Sequence, residues 1–133
     1  RDAQQIVAAH ADRPDGRPLK AVIGNRHGLL HVVDGGAAGD IVFGGNVYDG
    51  RTNLDLRQNS NRIDRAYLLA ALHPQPRRLL VIGLSSGAWL RVLAAMPGVE
   101  SIDVVEINPG YVRLIRGYPA LAPMLDDPRV RLH

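Results

Sequence analysis

The run Arg78-Leu79-Leu80-Val81-Ile82 leads into Gly83-Leu84-Ser85-Ser86-Gly87-Ala88, and a second run, Ser101-Ile102-Asp103-Val104-Val105, ends in Glu106. Two aliphatic β-type runs on either side of a glycine turn and a helical stretch form the order of a βαβ unit with parallel strands. Glu106 lies 23 positions after Gly83. That separation returns an acid at the end of the second strand to the turn after the first. The turn lets a ligand approach the backbone, and the carboxylate accepts hydrogen bonds from ribose hydroxyls. The pattern implies a nucleoside site and leaves the reaction open.

Upstream, short β-type runs (Leu19 to Ile23, Leu29 to Val33, Ile41 to Phe43, Val47 to Tyr48) are punctuated by Gly24-Asn25, Gly35-Gly36 and Gly44-Gly45. They predict a small antiparallel region joined by tight turns. Gln5 to Ala11 reads as a short helix or a frayed tail, stopped by Pro14 and Pro18. A helix is predicted over Asn59 to Leu72, capped by Asn59 or Ser60, with Ile63, Tyr67, Leu68 and Leu72 on its buried face. Further helices are expected over Ala88 to Met96 and from Pro109 to about Gly117, a helical turn over Pro119 to Leu125, and a third strand over Arg129 to Leu132. The fold class expected is α/β: an N-terminal β-hairpin region (1–58), then the first half of a Rossmann-like parallel sheet with flanking helices (59–133). Its strands, as continuous hydrophobic runs, are expected to be covered on both faces. The chain opens on Arg1 and stops as the third strand ends, so we expect a fragment of a larger protein.

Composition excludes several classes. No cysteine is present, so disulfides, thiolate metal sites and a cysteine nucleophile are excluded. The five histidines are scattered, and no metal is expected. A net charge of +3 without a basic run, and only 5% aromatic residues, argue against a nucleic-acid partner. No apolar run approaches the roughly 20 residues of a membrane helix, and no signal peptide is expected. A cytoplasmic protein is expected.

From Tyr48 to His133 the chain resembles the spermidine/spermine synthase family, the polyamine aminopropyltransferases, in the manner of its divergent spermidine-synthase-like members. The matching pieces are Tyr48-Asp49-Gly50, Arg78 to Gly83, Val104-Val105-Glu106-Ile107-Asn108-Pro109, and Leu125-Asp126-Asp127-Pro128-Arg129-Val130, in that order. The resemblance implies a cofactor turn of Gly83, Ser85, Ser86 and Gly87, with Glu106 on the ribose and Asn53 in the place of the family's glutamine. It also implies decarboxylated S-adenosylmethionine as cofactor, a polyamine or other amine as acceptor, and a transfer in which methylthioadenosine leaves. The chain departs from the family in three ways. Ser86 stands where an aspartate is usual, the Asp-Glu and Tyr-His-Glu elements of the polyamine site are missing apart from Tyr67, and the catalytic aspartate's strand lies beyond His133. We therefore expect little or no spermidine synthesis. S-adenosylmethionine, with its carboxylate, suits the chain at least as well.

Each residue also has a plainer reading. Glu106 also reads as a cap for the helix after Pro109, and Gly83 and Gly87 as helix-entry glycines. Ser85 and Ser86 do not form a nucleophile elbow, because the Gly-x-Ser-x-Gly spacing is absent; they read as turn or cap residues. Trp89 and Tyr67 read as packing residues, Asp126 and Asp127 as turn residues, Asp103 as exposed or paired with an arginine, and Asp49 and Asn53 as turn residues or substrate contacts. Three functions follow. The first is an S-adenosyl-dependent transferase that transfers aminopropyl or methyl groups, this segment alone being inactive. The second is a non-catalytic, dimerising interaction module that kept the fold; in either case a homodimer is expected. The third and weakest is a nicotinamide enzyme, for which the Gly-x-Gly-x-x-Gly fingerprint is incomplete.

Overall fold

The computed structural model describes residues 3–133, with the side chains of the first helix described only in part. A short helix α1 (Ala3–His10) precedes four strands, β1 (Leu19–Asn25), β2 (Gly28–Val33), β3 (Ile41–Gly44) and β4 (Val47–Arg51). They form one antiparallel sheet in chain order. The turns sit where geometry allows them. Gly45 and Asn46 both have positive φ, as the tight β3–β4 hairpin requires. The β1–β2 turn lies at Arg26-His27, two residues later than Gly24-Asn25 suggests, because Asn25 pairs with Gly28. Strands β2 and β3 are buried on both faces. Leu30, Val32 and Val42 enter the main core, whereas Val33, Ile41 and Phe43 form a second cluster.

Next comes α2 (Asp64–Leu72), then β5 (Arg78–Ile82), α3 (Ala88–Ala94), β6 (Ser101–Val105), α4 (Gly110–Arg116) and β7 (Val130–Leu132). The last three strands form a parallel sheet in the order β5-β6-β7. This is the α/β architecture expected from the sequence. The main core runs through both sheets, joining Leu30, Val32 and Val42 to Leu90, Ile102, Val104 and Ile115.

Three expectations are corrected. Helix α2 begins at Asp64 because Asn59 and Arg62 adopt left-handed φ, which a helix cannot continue through; the Asn59 side chain still accepts from the Asp64 amide at 3.2 Å. On that helix Ile63 and Ala66 are buried, but Tyr67 is 45% exposed and Leu68 and Leu72 are also exposed, since α2 rests chiefly on α3. The parallel sheet is covered on one face only among the described residues. Leu79, Val81, Ile102 and Val104 pack against the helices, whereas Leu80 and Ile82 are 65% and 81% exposed. On the uncovered face Asp103 pairs with Arg131 and His133, the arginine pairing anticipated for it.

Candidate functional site

Both sheets contribute to one cleft of about 790 Å³, a size suited to a small-molecule ligand. Its floor is the turn after β5. Gly83 has φ +83, and a Cβ there would meet nothing within 4 Å, so its backbone faces open space. Gly87, four residues on, has a different role: a Cβ would fall 2.5 Å from Met124 Cε and 2.7 Å from Ile115 Cδ1. It lets helix α3 enter the core closely, and it also lines the cleft.

Glu106, at the end of β6, reaches back under this turn. Its Oε2 accepts from the Leu84 amide at 2.8 Å and its Oε1 from the Asn108 amide at 2.7 Å. A carboxylate has about four lone-pair sites, so each oxygen retains one for a further donor. Half-exposed at the cleft, Glu106 has the chemistry to hold a vicinal diol and also tethers the segment before α4.

The two serines lie in the turn but are engaged by protein. Ser85 has left-handed φ and donates its hydroxyl to the Asp49 carbonyl. Ser86 is 1% exposed; it donates to the Arg51 carbonyl at 2.6 Å and accepts from the Ala88 amide at 3.3 Å. Together they fasten β4 to the turn, which is why the antiparallel sheet roofs the cleft. Asn53 does not line the cleft. Its amide donates to Gln58 and Ser60 and its oxygen accepts from the Asp55 amide, so it organises its own loop.

Several cleft contacts carry no signal in a linear motif. Tyr111 on α4 donates its hydroxyl to Asp49 Oδ2. Burial pushes the Asp49 carboxyl above its ordinary value and nearby Glu106 adds to this, while the Tyr111 bond acts against it. Burial and the Asp49 bond raise the Tyr111 phenol well above its usual range. Asn108 accepts from the Asn25 side chain at 2.7 Å and from the Gly110 amide at 2.9 Å, joining the β1–β2 hairpin to α4. Asn61 is buried and accepts from the Arg51 amide. Trp89 is 41% exposed at the cleft wall and donates its indole N–H to the Asn61 carbonyl at 3.0 Å, so it is less a core residue than its sequence position suggests. The one available signal was the hydroxyl or amide itself, a polar group that needs a partner wherever it is buried.

Other polar residues brace the fold. Buried Asp40 meets Lys20 at 2.7 Å and the Tyr118 hydroxyl at 2.8 Å. Asp127 pairs with Arg129, whose guanidinium also donates to the carbonyls of Val99 and Ala94. Among the described residues no group of three or more His, Asp or Glu is placed to hold a metal, and no helix is long and apolar enough to cross a membrane.

No family model matches the chain. The polyamine aminopropyltransferase of Streptococcus pneumoniae is 44% identical over 64 residues, which is 47% of this chain and 22% of that enzyme. That of Lachnoclostridium phytofermentans is 41% identical over 64 residues. The spermidine synthase of Thermotoga maritima superposes with a TM-score of 0.68 at 19% identity, covering 89% of this chain and 41% of that one. A spermidine synthase in complex with the transition-state analogue AdoDATO also gives 0.68. The matches thus span about a fifth of the curated relatives' length and two fifths of the solved structures. Over about half its length the chain is thus similar in sequence to polyamine aminopropyltransferases, and it shares the fold of spermidine synthases.

Proposed function

We propose that the cleft binds an S-adenosyl-type nucleoside and that the whole protein transfers an aminopropyl or methyl group from it to an amine or other nucleophile. The observation that carries this reading is Glu106, set under an open glycine turn with lone pairs to spare. Gly83 gives the ligand access to the backbone, Glu106 holds the ribose, and Asn108 and Tyr111 shape the adjoining wall. Ser85 and Ser86 act by holding the roof in place. The donor supplies an electrophilic carbon beside its sulfonium. As the acceptor's lone pair bonds to that carbon, the carbon–sulfur bond breaks, its electrons stay on sulfur, and the acceptor loses a proton to a base.

The leaving nucleoside distinguishes the two transfers. Aminopropyl transfer releases methylthioadenosine, and methyl transfer releases S-adenosylhomocysteine. Incubation of the protein with each donor and a panel of amines, with both products quantified, tests the reading. Appearance of either product supports it, and absence of both, with no nucleoside bound, contradicts it. A homodimer in the cytoplasm belongs to the same reading and is tested by sedimentation and cell fractionation.

A further inference from the structure

The cleft has two acids and two arginines, and they come from different parts of its wall. Asp49 comes from the middle of β4 and Glu106 directly follows β6. Each is already engaged, Asp49 by the Tyr111 hydroxyl and Glu106 by two backbone amides. Arg62 comes from the turn before α2 and Arg65 from its first turn, beside Asn61 and Trp89, whose hydrogen bond joins that segment to α3. Among the described residues no acid other than Asp49 and Glu106 lines the cleft. Arg62 has one weak partner, Asp64 at 4.0 Å, with both side chains substantially exposed. Arg65 is exposed and has no ion-pair partner among the described residues.

Two solvated guanidinium groups on a cleft wall attract an anion and repel a polycation. A polyamine is multiply protonated at neutral pH and gains nothing at this wall. A carboxylate fits it, because the guanidinium fork offers paired donors in the geometry that two carboxylate oxygens accept. We propose that Arg62 and Arg65 form a carboxylate subsite, and that the nucleoside held by Glu106 carries its own amino-acid carboxylate. The ligand class is then the S-adenosyl amino acids rather than their decarboxylated forms. A single cleft of about 790 Å³ holds both the nucleoside and its tail. This inference rests on the nucleoside reading above and adds to it the chemistry of the tail.

Calorimetric titration of the purified protein with S-adenosylhomocysteine and with methylthioadenosine, which lacks the amino-acid tail, tests it. The expected result is tighter binding of S-adenosylhomocysteine by about tenfold, the scale of one charge-assisted contact. Arg65→Glu is expected to erase most of that preference, weakening S-adenosylhomocysteine far more than methylthioadenosine. Arg65 is exposed, and an unchanged unfolding temperature verifies that the variant is folded. Equal affinity for the two ligands, or an equal loss of both in Arg65→Glu, overturns the carboxylate subsite and leaves the nucleoside reading standing. Failure of a folded protein to bind either ligand overturns both.

Discussion

Glu106 Oε2 accepts a hydrogen bond from the Leu84 amide at 2.8 Å, across 22 residues of sequence. The bond ties the end of one parallel strand to the turn leaving its neighbour, and it presents the carboxylate where the backbone is open. The cleft's other acid, Asp49, arrives from the antiparallel sheet, so the site exists only because the two sheets are fastened together.

The Asp49–Tyr111 bond is one of those fastenings, and Tyr111→Phe tests it. The Tyr111 hydroxyl lowers the pKa that burial has raised at Asp49. Its removal moves that pKa further up and costs about 1–2 kcal/mol at neutral pH. A raised folded-state pKa means that stability is fullest below the unfolded value and falls as pH rises through the folded one. The difference between variant and wild type is therefore larger at pH 7 than at pH 3. Urea denaturation at the two pH values measures it.

Asp40 behaves in the opposite sense. Burial resists its ionisation, but hydrogen bonds from Lys20, Tyr118 and the Gly35 amide outweigh that and leave its pKa below the ordinary value. Its contribution to stability is present above about pH 4 and is lost as pH falls through the lowered folded-state value. Asp40→Asn is expected to cost about 2 kcal/mol at pH 7 and to flatten the acid limb of the stability curve followed by circular dichroism.

The two glycines of the turn separate packing from binding. Both need positive φ, which costs a side chain about 1–3 kcal/mol. Gly87→Ala adds a collision with Met124 and Ile115 and is expected to lower stability further, by about 1–3 kcal/mol. Gly83→Ala meets no atom of the protein. It is expected to destabilise less and to weaken nucleoside binding more. Thermal unfolding and ligand titration of the pair distinguish the two effects.

Much of this fold is legible in the order of short apolar runs and glycines, because each strand is local and each turn needs a particular backbone. The four-stranded hairpin region, the parallel pair β5–β6 and the place of Glu106 follow from that local chemistry. What is not legible depends on contacts across the chain. The aliphatic run of β5 reads as doubly buried, yet Leu80 and Ile82 face outward because the described helices cover only the other face. The apolar Tyr67, Leu68 and Leu72 read as core for a similar reason, and the left-handed Arg62 that shortens α2 has no compositional signal. The pairing of Tyr111 with Asp49 spans 62 residues, so no window along the sequence holds both partners. The serines looked like turn residues and are that, but their role in bolting the roof emerges only when β4 is placed beside them.

The most direct test of the account is titration of methylthioadenosine into the wild-type protein and Glu106→Gln, with unfolding curves recorded for both. The carboxamide keeps the shape and one acceptor oxygen but loses the charge that strengthens bonds from ribose hydroxyls. The account predicts binding by the wild type and a loss of affinity of about tenfold or more in a variant that remains folded. A folded wild type that binds no nucleoside, or a variant that binds as tightly as the wild type, contradicts it.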